Sequence, residues 1–139
     1  MAQDEMLLQL TGISGVGIDI IEIDRIAKAV EKGGERFLQR IYTTAERLYC
    51  EEKRQPHSSY AARFAAKEAV LKAMGTGVSG GASFTDVEVC QKQGGAPSIN
   101  LHNKTAIIAQ EKGITEIMLS LSHSRKQAVA IAIAMKINR

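Results

Sequence analysis

Hydrophobic and polar positions follow two rhythms along this chain, and together they predict a mixed fold. Gly12 to Ile23 (GISGVGIDIIEI) opens on glycines and is rich in β-branched residues, which predicts a strand. Asp24 is placed to cap a helix over Arg25–Glu31, with Gly33-Gly34 as its stop. Thr43-Thr44-Ala45-Glu46 has the capping-box spacing and predicts a short helix reaching about Lys53. Ser58 to Met74 (SSYAARFAAKEAVLKAM) is the longest helical run. It is built of good helix formers and followed by Gly75 and Gly77. Beyond it, Phe84–Gln91 and Ser98–Leu101 predict a hairpin across Gly94-Gly95-Ala96-Pro97. Asn103–Lys112 predicts a helix stopped by Gly113. Glu116–Ser122 and Ala128–Lys136 predict two strands joined by His123-Ser124-Arg125-Lys126. Helices come first and antiparallel strands later, so the class is α+β, not a repeated βαβ.

Composition narrows the possibilities. At 139 residues and 15.1 kDa the chain fits one domain, and folding buries roughly 68% of the surface its unfolded form exposes. Aromatics are 4% and Trp is absent, too few for a surface that stacks single-stranded bases. A net charge of +3 falls short of a strong phosphate-backbone footprint. Cys50 and Cys90 form no CxxC pair, which argues against structural zinc. The opening MAQDEMLLQL lacks the basic flank of a signal peptide. No run approaches the ~18–20 apolar residues of a membrane span. The expectation is a cytoplasmic protein with free thiols and no nucleic-acid or membrane partner.

Three places carry candidate chemistry. On the long helix, Glu68 and Lys72 share one face, while Arg63 and Lys67 share another more than ~90° away. The rest of that wheel is apolar and mostly alanine, so the helix is expected to be buried. The ordinary reading of Glu68 and Lys72 is a surface i,i+4 pair worth roughly 0.3–0.5 kcal/mol. The functional reading is a metal-holding carboxylate beside a phosphate-holding lysine. Asp19 interrupts an apolar strand and shares a face with Gly17 and Ile21. It is either a strand-edge acid facing water or a paired charge inside a site. Asp19 and Glu68 together are hard oxygen donors on separate elements, with no His or Cys cluster near them in sequence. That donor set suits Mg²⁺, which fills its other positions with water and substrate phosphate. Ser120-Leu-Ser-His123-Ser124-Arg125 reads either as a hydrogen-bonded turn or as a phosphate-contacting loop. Arg25, Lys28 and Lys32 form a basic stripe. Such a stripe is ordinarily a solvated face, or else it docks an acidic partner helix. Two phosphate motifs fail: Ile18 stands where a Walker A lysine belongs, and Gly75-Thr-Gly77-Val-Ser-Gly80 follows a helix instead of a strand. His57 and His102 receive no role.

Taken together, four segments resemble the holo-[acyl-carrier-protein] synthase family, the small 4′-phosphopantetheinyl transferases. They are Gly15–Ile23 (GVGIDIIEI), Arg63–Gly77 (RFAAKEAVLKAMGTG), Phe84–Val89 (FTDVEV) and Ser120–Ser124 (SLSHS). The order and spacing match from about Gly15 to Ile133. The resemblance implies one compact domain over 11–139, with an antiparallel sheet wrapped round the Ala-rich helix and residues 1–10 as an N-terminal extension. It implies transfer of phosphopantetheine from coenzyme A to a serine of apo acyl carrier protein, with Mg²⁺ and with release of adenosine 3′,5′-bisphosphate. Asp19 and Glu68 match the metal ligands, and Lys72 matches a lysine that contacts phosphates or assists proton transfer. Arg63, Gly75, Gly77, His123 and Ser124 match the coenzyme A site. Arg25, with Lys28 beside it, matches the carrier-protein docking helix. Members of the family are homotrimers with active sites between subunits. The alternative class is a small basic module that binds phosphate-bearing ligands or nucleic acid without catalysis.

Overall fold

The glycine-opened run forms strand β1 (Ile13–Glu22), the edge of a three-stranded antiparallel sheet ordered β1-β5-β4. This is a computed structural model, and it describes residues 12–78, 81–92 and 94–136. The predicted extension over residues 1–10 lies outside the described residues, as do residue 11 and residues 137–139 of the predicted domain. Strand β5 spans Gln127–Lys136 and β4 spans Ile114–His123. A separate hairpin pairs β2 (Val87–Cys90) with β3 (Ser98–Leu101). The helices are α1 (Ile23–Ile41), α2 (Thr44–Glu51), α3 (Pro56–Met74) and α4 (Asn103–Glu111). The α+β class and the single domain built round the Ala-rich helix are as the sequence predicts.

Register explains how the sheet accepts α3. Gly17 pairs with Ala132, which pairs with Leu119; Asp19 pairs with Ala130, which pairs with Leu121. The inner face therefore carries glycine on β1 and Ala128, Ala130, Ala132 and Ala134 on β5, all four alanines essentially buried. Helix α3 meets it with Ala61, Ala65, Ala66, Ala69 and Ala73, also buried. A side chain on Gly17 would run into the Ala69 carbonyl and come 2.7 Å from the Ala73 nitrogen, and one on Gly15 would strike the Ala73 carbonyl. Strand and helix backbones thus touch through positions where any Cβ would be expelled. The outer face is the opposite. Val16, Ile18, Ile20, Met118 and Ile131 are 39–61% exposed there.

Three local expectations are corrected. The helical stretch is longer than expected: the first run does break at Gly34, whose backbone is non-helical (φ 56°, ψ −139°), but a second run follows directly across the kink and reaches Ile41. Ile26 before the bend and Leu38 and Ile41 after it are all buried, so packing carries the helical stretch past a glycine that absorbs the kink. Asp24 does not cap α1; Glu22 holds the N-cap position without a side-chain bond, and Asp24 pairs with Lys28 at 3.1 Å in the open. Helix α3 starts at Pro56 and not at Ser58, since proline at the first turn loses no hydrogen bond there. The capping box at Thr43 and Glu46 forms as predicted, with both reciprocal bonds present.

Glu46 does more than cap α2. Its carboxylate takes a hydrogen bond from the Val89 N–H at 2.8 Å and pairs with Lys67 Nζ at 2.8 Å. Both side chains are wholly excluded from water. Lys67 also donates to the Phe84 and Val87 carbonyls at 2.9 and 2.6 Å, so all three ammonium donors are used. Burial pulls the Lys67 pKa below the usual lysine range, against the opposing pull of Glu46. One lysine thereby ties α3 to α2 and to the entry of β2. Next to it, Glu88 accepts from Thr43 Oγ1 at 2.7 Å and lies 2.9 Å from His102 Nε2, which gives His102 a structural partner.

Candidate active site

Alternation on β1 puts Asp19 in the same inward row as Gly15 and Gly17, two residues further along. Gly15 meets α3 at Ala73 and Gly17 meets it at Ala69, so the strand runs back along the helix toward Glu68. Asp19 therefore arrives where Glu68 and Lys72 emerge. Lys72 Nζ binds Asp19 Oδ1 at 3.0 Å and the Ile18 carbonyl at 3.0 Å. The ordinary reading of Lys72, a pair with Glu68 one turn back, is not what forms; its ion pair is with Asp19, across 53 residues of chain.

Glu68 is half-buried. Burial first, and then the neighbouring Asp19 charge, hold its carboxyl above the usual glutamate range; Lys72 and Arg25 pull the other way. Two carboxylates, one lysine and one arginine therefore converge on one edge of the molecule. A half-buried carboxyl held up by burial and by a neighbouring carboxylate's charge is the setting a divalent cation relieves. Among the described residues no group of three or more His, Cys, Asp or Glu side chains converges to hold a metal. A two-carboxylate oxygen set fits Mg²⁺, whose other positions go to water and substrate phosphate.

The coenzyme A residues named from sequence fall in different places. Arg63 and His123 line one cleft of about 460 Å³, together with Lys53, Arg54, Ser59 and Ser122. Ser124 lies outside that cleft, beside Arg125 and Lys126 in a neighbouring groove, and its Oγ accepts the Lys126 and Gln127 N–H groups. Gly75 (φ 71°) ends α3, and its N–H is bonded to the Lys72 carbonyl. Gly77 follows two residues later. Arg25 and Lys28 are exposed on the first turns of α1, next to the carboxylate cluster. In one chain, then, the structure joins Asp19, Glu68, Lys72 and Arg25 at the β1 edge. It joins Arg63 and His123 near the β4 edge.

Sequence reasoning missed several members of the second cluster. Lys53 and Arg54 are adjacent cations just past α2 and could have been noticed as a pair. Ser59 lies one turn before Arg63 on α3 and its i,i+4 spacing could have been read, whereas Tyr49 and Gln91 gave no signal, because they reach Arg63 from α2 and from the end of β2.

The carboxylate cluster makes a titration prediction. Glu68 binds its proton more tightly folded than unfolded, so its share of stability is full below the unfolded pKa and is lost as pH rises through the folded one. Asp19→Asn removes a like charge and should move the Glu68 midpoint downward. Carboxyl ¹³C NMR titration reads this directly; an unchanged or raised midpoint would mean the two carboxylates do not interact.

Comparison with known proteins then supplies a family. Residues 15–134 match the model of the 4′-phosphopantetheinyl transferase superfamily. A holo-[acyl-carrier-protein] synthase of Koribacter versatilis is 49% identical over 121 residues, covering 87% of this chain and 97% of that protein. One from Alkaliphilus metalliredigens is 51% identical over 122 residues, covering 88% and 98%. The crystal structure of the Helicobacter pylori holo-[acyl-carrier-protein] synthase in complex with coenzyme A superposes with a TM-score of 0.76 at 33% identity, covering 86% of this chain and 98% of that one. An alanine-faced helix locked against a glycine strand, with carboxylates at their junction, is thus found in a chain that belongs to the 4′-phosphopantetheinyl transferase superfamily, among its holo-[acyl-carrier-protein] synthases.

Proposed function

We propose that this chain moves the 4′-phosphopantetheine arm of coenzyme A onto a serine of apo acyl carrier protein, using Mg²⁺ held by Asp19 and Glu68. The observation that carries this reading is the convergence of Asp19, Glu68 and Lys72, together with the close relatives that bear the synthase name. The binding-only alternative falls with membership in an enzyme family.

The chemistry is a displacement at phosphorus. The serine oxygen forms a bond to the phosphorus that carries the pantetheine, the bond from that phosphorus to the bridging oxygen breaks, and adenosine 3′,5′-bisphosphate leaves. Mg²⁺, when bound, neutralises the diphosphate and the charge that grows on the leaving group. Asp19 and Glu68 hold the metal. Lys72 is held by Asp19 Oδ1 and the Ile18 carbonyl and adds a fixed positive charge beside the phosphates. The serine proton passes to a base at this cluster, where a Glu68 carboxylate oxygen, Lys72 and water are the available acceptors. Arg63 and His123, with Lys53 and Arg54, take coenzyme A phosphate; Gly75 and Gly77 shape the turn beside Lys72, and Ser124 fixes the turn after His123. Arg25 and Lys28 dock the acidic carrier protein. We place the reaction in the cytoplasm, in keeping with the free thiols Cys50 and Cys90; no helix among the described residues is long and apolar enough to cross a membrane.

We further assign the working unit as a homotrimer. Two features support this. The outer sheet face leaves Val16, Ile18, Ile20, Met118 and Ile131 uncovered, an apolar surface of the kind that subunits bury. The carboxylate cluster and the Arg63 cleft sit toward opposite edge strands, so neighbouring copies can bring one of each together.

Four outcomes are expected. Incubating the chain with apo carrier protein, coenzyme A and Mg²⁺ should add one phosphopantetheine mass to the carrier. Asp19→Ala or Glu68→Ala should lower turnover by at least ~100-fold, the scale for losing a group that acts on transition-state charge; near-normal turnover would remove both from the metal. Reversing charge at Arg25 and Lys28 should raise the KM for carrier protein and leave that for coenzyme A nearly unchanged. An equal rise for both substrates would remove the docking assignment. Asp19→Ala and Arg63→Ala chains, inactive alone, should recover activity when assembled together; no recovery would place the whole site in one subunit.

A further inference from the structure

The Arg63 side chain is only 3% exposed, yet no carboxylate forms an ion pair with it among the described residues. Its NH1 donates to Ser59 Oγ at 3.1 Å and its NH2 reaches Gln91 Oε1 at a long 3.4 Å, while its Nε has no partner. A buried cation so thinly paired is costly unless something else offsets its charge. What lies against it is a ring: the guanidinium carbon is 4.0 Å from the Tyr49 centroid. The Lys53 ammonium is 4.3 Å from the same centroid. One aromatic face system thus serves two cations that repel each other, both at the wall of the cleft that also holds Arg54, Ser122 and His123.

We propose that Tyr49 is a positioning residue for coenzyme A: its ring lies against both the Arg63 guanidinium and the Lys53 ammonium and holds the two cations at the wall of one cleft, pre-arranged for phosphate. This rests on reading that cleft as the phosphate-binding part of the site, and it adds a residue that contacts no substrate itself. The ring does the holding, because the phenol hydroxyl makes no hydrogen bond among the described residues. Without the ring the exposed Lys53 would sample many rotamers and the buried Arg63 charge would lose its aromatic partner, so bringing Lys53 to a phosphate beside Arg63 would cost side-chain entropy at every binding event. The Tyr49 quadrupole offsets their repulsion beforehand without supplying a carboxylate that would compete with the phosphate.

The test is a series at one position in the full chain: Tyr49→Phe, Tyr49→Trp, Tyr49→Leu and Tyr49→Met. Steady-state transfer with coenzyme A, Mg²⁺ and apo carrier protein gives the KM for each substrate, and calorimetry with inorganic pyrophosphate gives direct affinity. The ring-lacking Leu and Met variants should raise the coenzyme A KM about tenfold and weaken pyrophosphate by a similar factor, the scale of two cation–π contacts. Their kcat and carrier-protein KM should stay within about threefold of the parent. Phe and Trp should restore coenzyme A KM to within about twofold, which a purely structural role for the hydroxyl would not allow. Equal rises in both KM values, a coenzyme A KM unchanged in Leu and Met, or a Phe variant as poor as Leu would each overturn the proposal. Should one ring-lacking variant fail to fold, the other and the Phe–Trp pair still decide it. A parent chain that transfers nothing would sink the catalytic reading alone. The pyrophosphate series would still judge Tyr49 on its own.

Discussion

Backbone contact between β1 and α3 is the constraint on which the rest of the structure depends. Gly15 and Gly17 lie against the Ala69 and Ala73 backbone, where a methyl group would collide with carbonyl oxygen. Alanines of β5 extend the same close approach across the sheet. Close packing of this kind leaves little freedom for sliding, because a shift in either direction brings a larger side chain into the gap. Its chemical consequence is Asp19. The next inward position after Gly17 inherits the same proximity to the helix and so lands beside Glu68 and Lys72. The geometry of the carboxylate cluster is set by two missing side chains.

A second constraint fixes the helix from its other side. Lys67 and Glu46 are a fully buried pair, and the loss of one partner from such a pair costs about 3–5 kcal/mol. Lys67 spends all its donors on Glu46 and on the Phe84 and Val87 carbonyls, so the loop that leaves α3 is tied back onto it. The segment from Arg63 to Lys72 therefore works in two directions. Glu68 and Lys72 point to β1 and Asp19. Arg63 and Lys67 point to α2 and the hairpin, one into a cation cleft and one into the interior. A helix whose wheel is mostly alanine can do this because its neighbours on both sides come close.

The separation of the two clusters gives the exposed apolar sheet face a meaning. Each chain carries both halves on different edges. In the proposed homotrimer, assembly through the uncovered isoleucine and valine rows would let halves from neighbouring chains face each other.

Much of this was legible in the residue order. Period-two alternation located β1 and its inward acid, the Thr43–Glu46 box located α2, and the alanine-rich run located the buried helix, because these signals are local. The identities of Asp19, Glu68 and Lys72 as candidates came from acids and a base placed in apolar surroundings, again a local oddity. Distant packing decided that a second helical run follows the break at Gly34, through buried Leu38 and Ile41, whereas the start of α3 at Pro56 was a local signal read past. Only the tertiary structure decided that Lys72 pairs with Asp19, that Lys67 is buried on Glu46, and that Tyr49 lies against Arg63. Those are contacts between elements 14 to 53 residues apart, and no periodicity within a single element encodes which faces of two elements will meet.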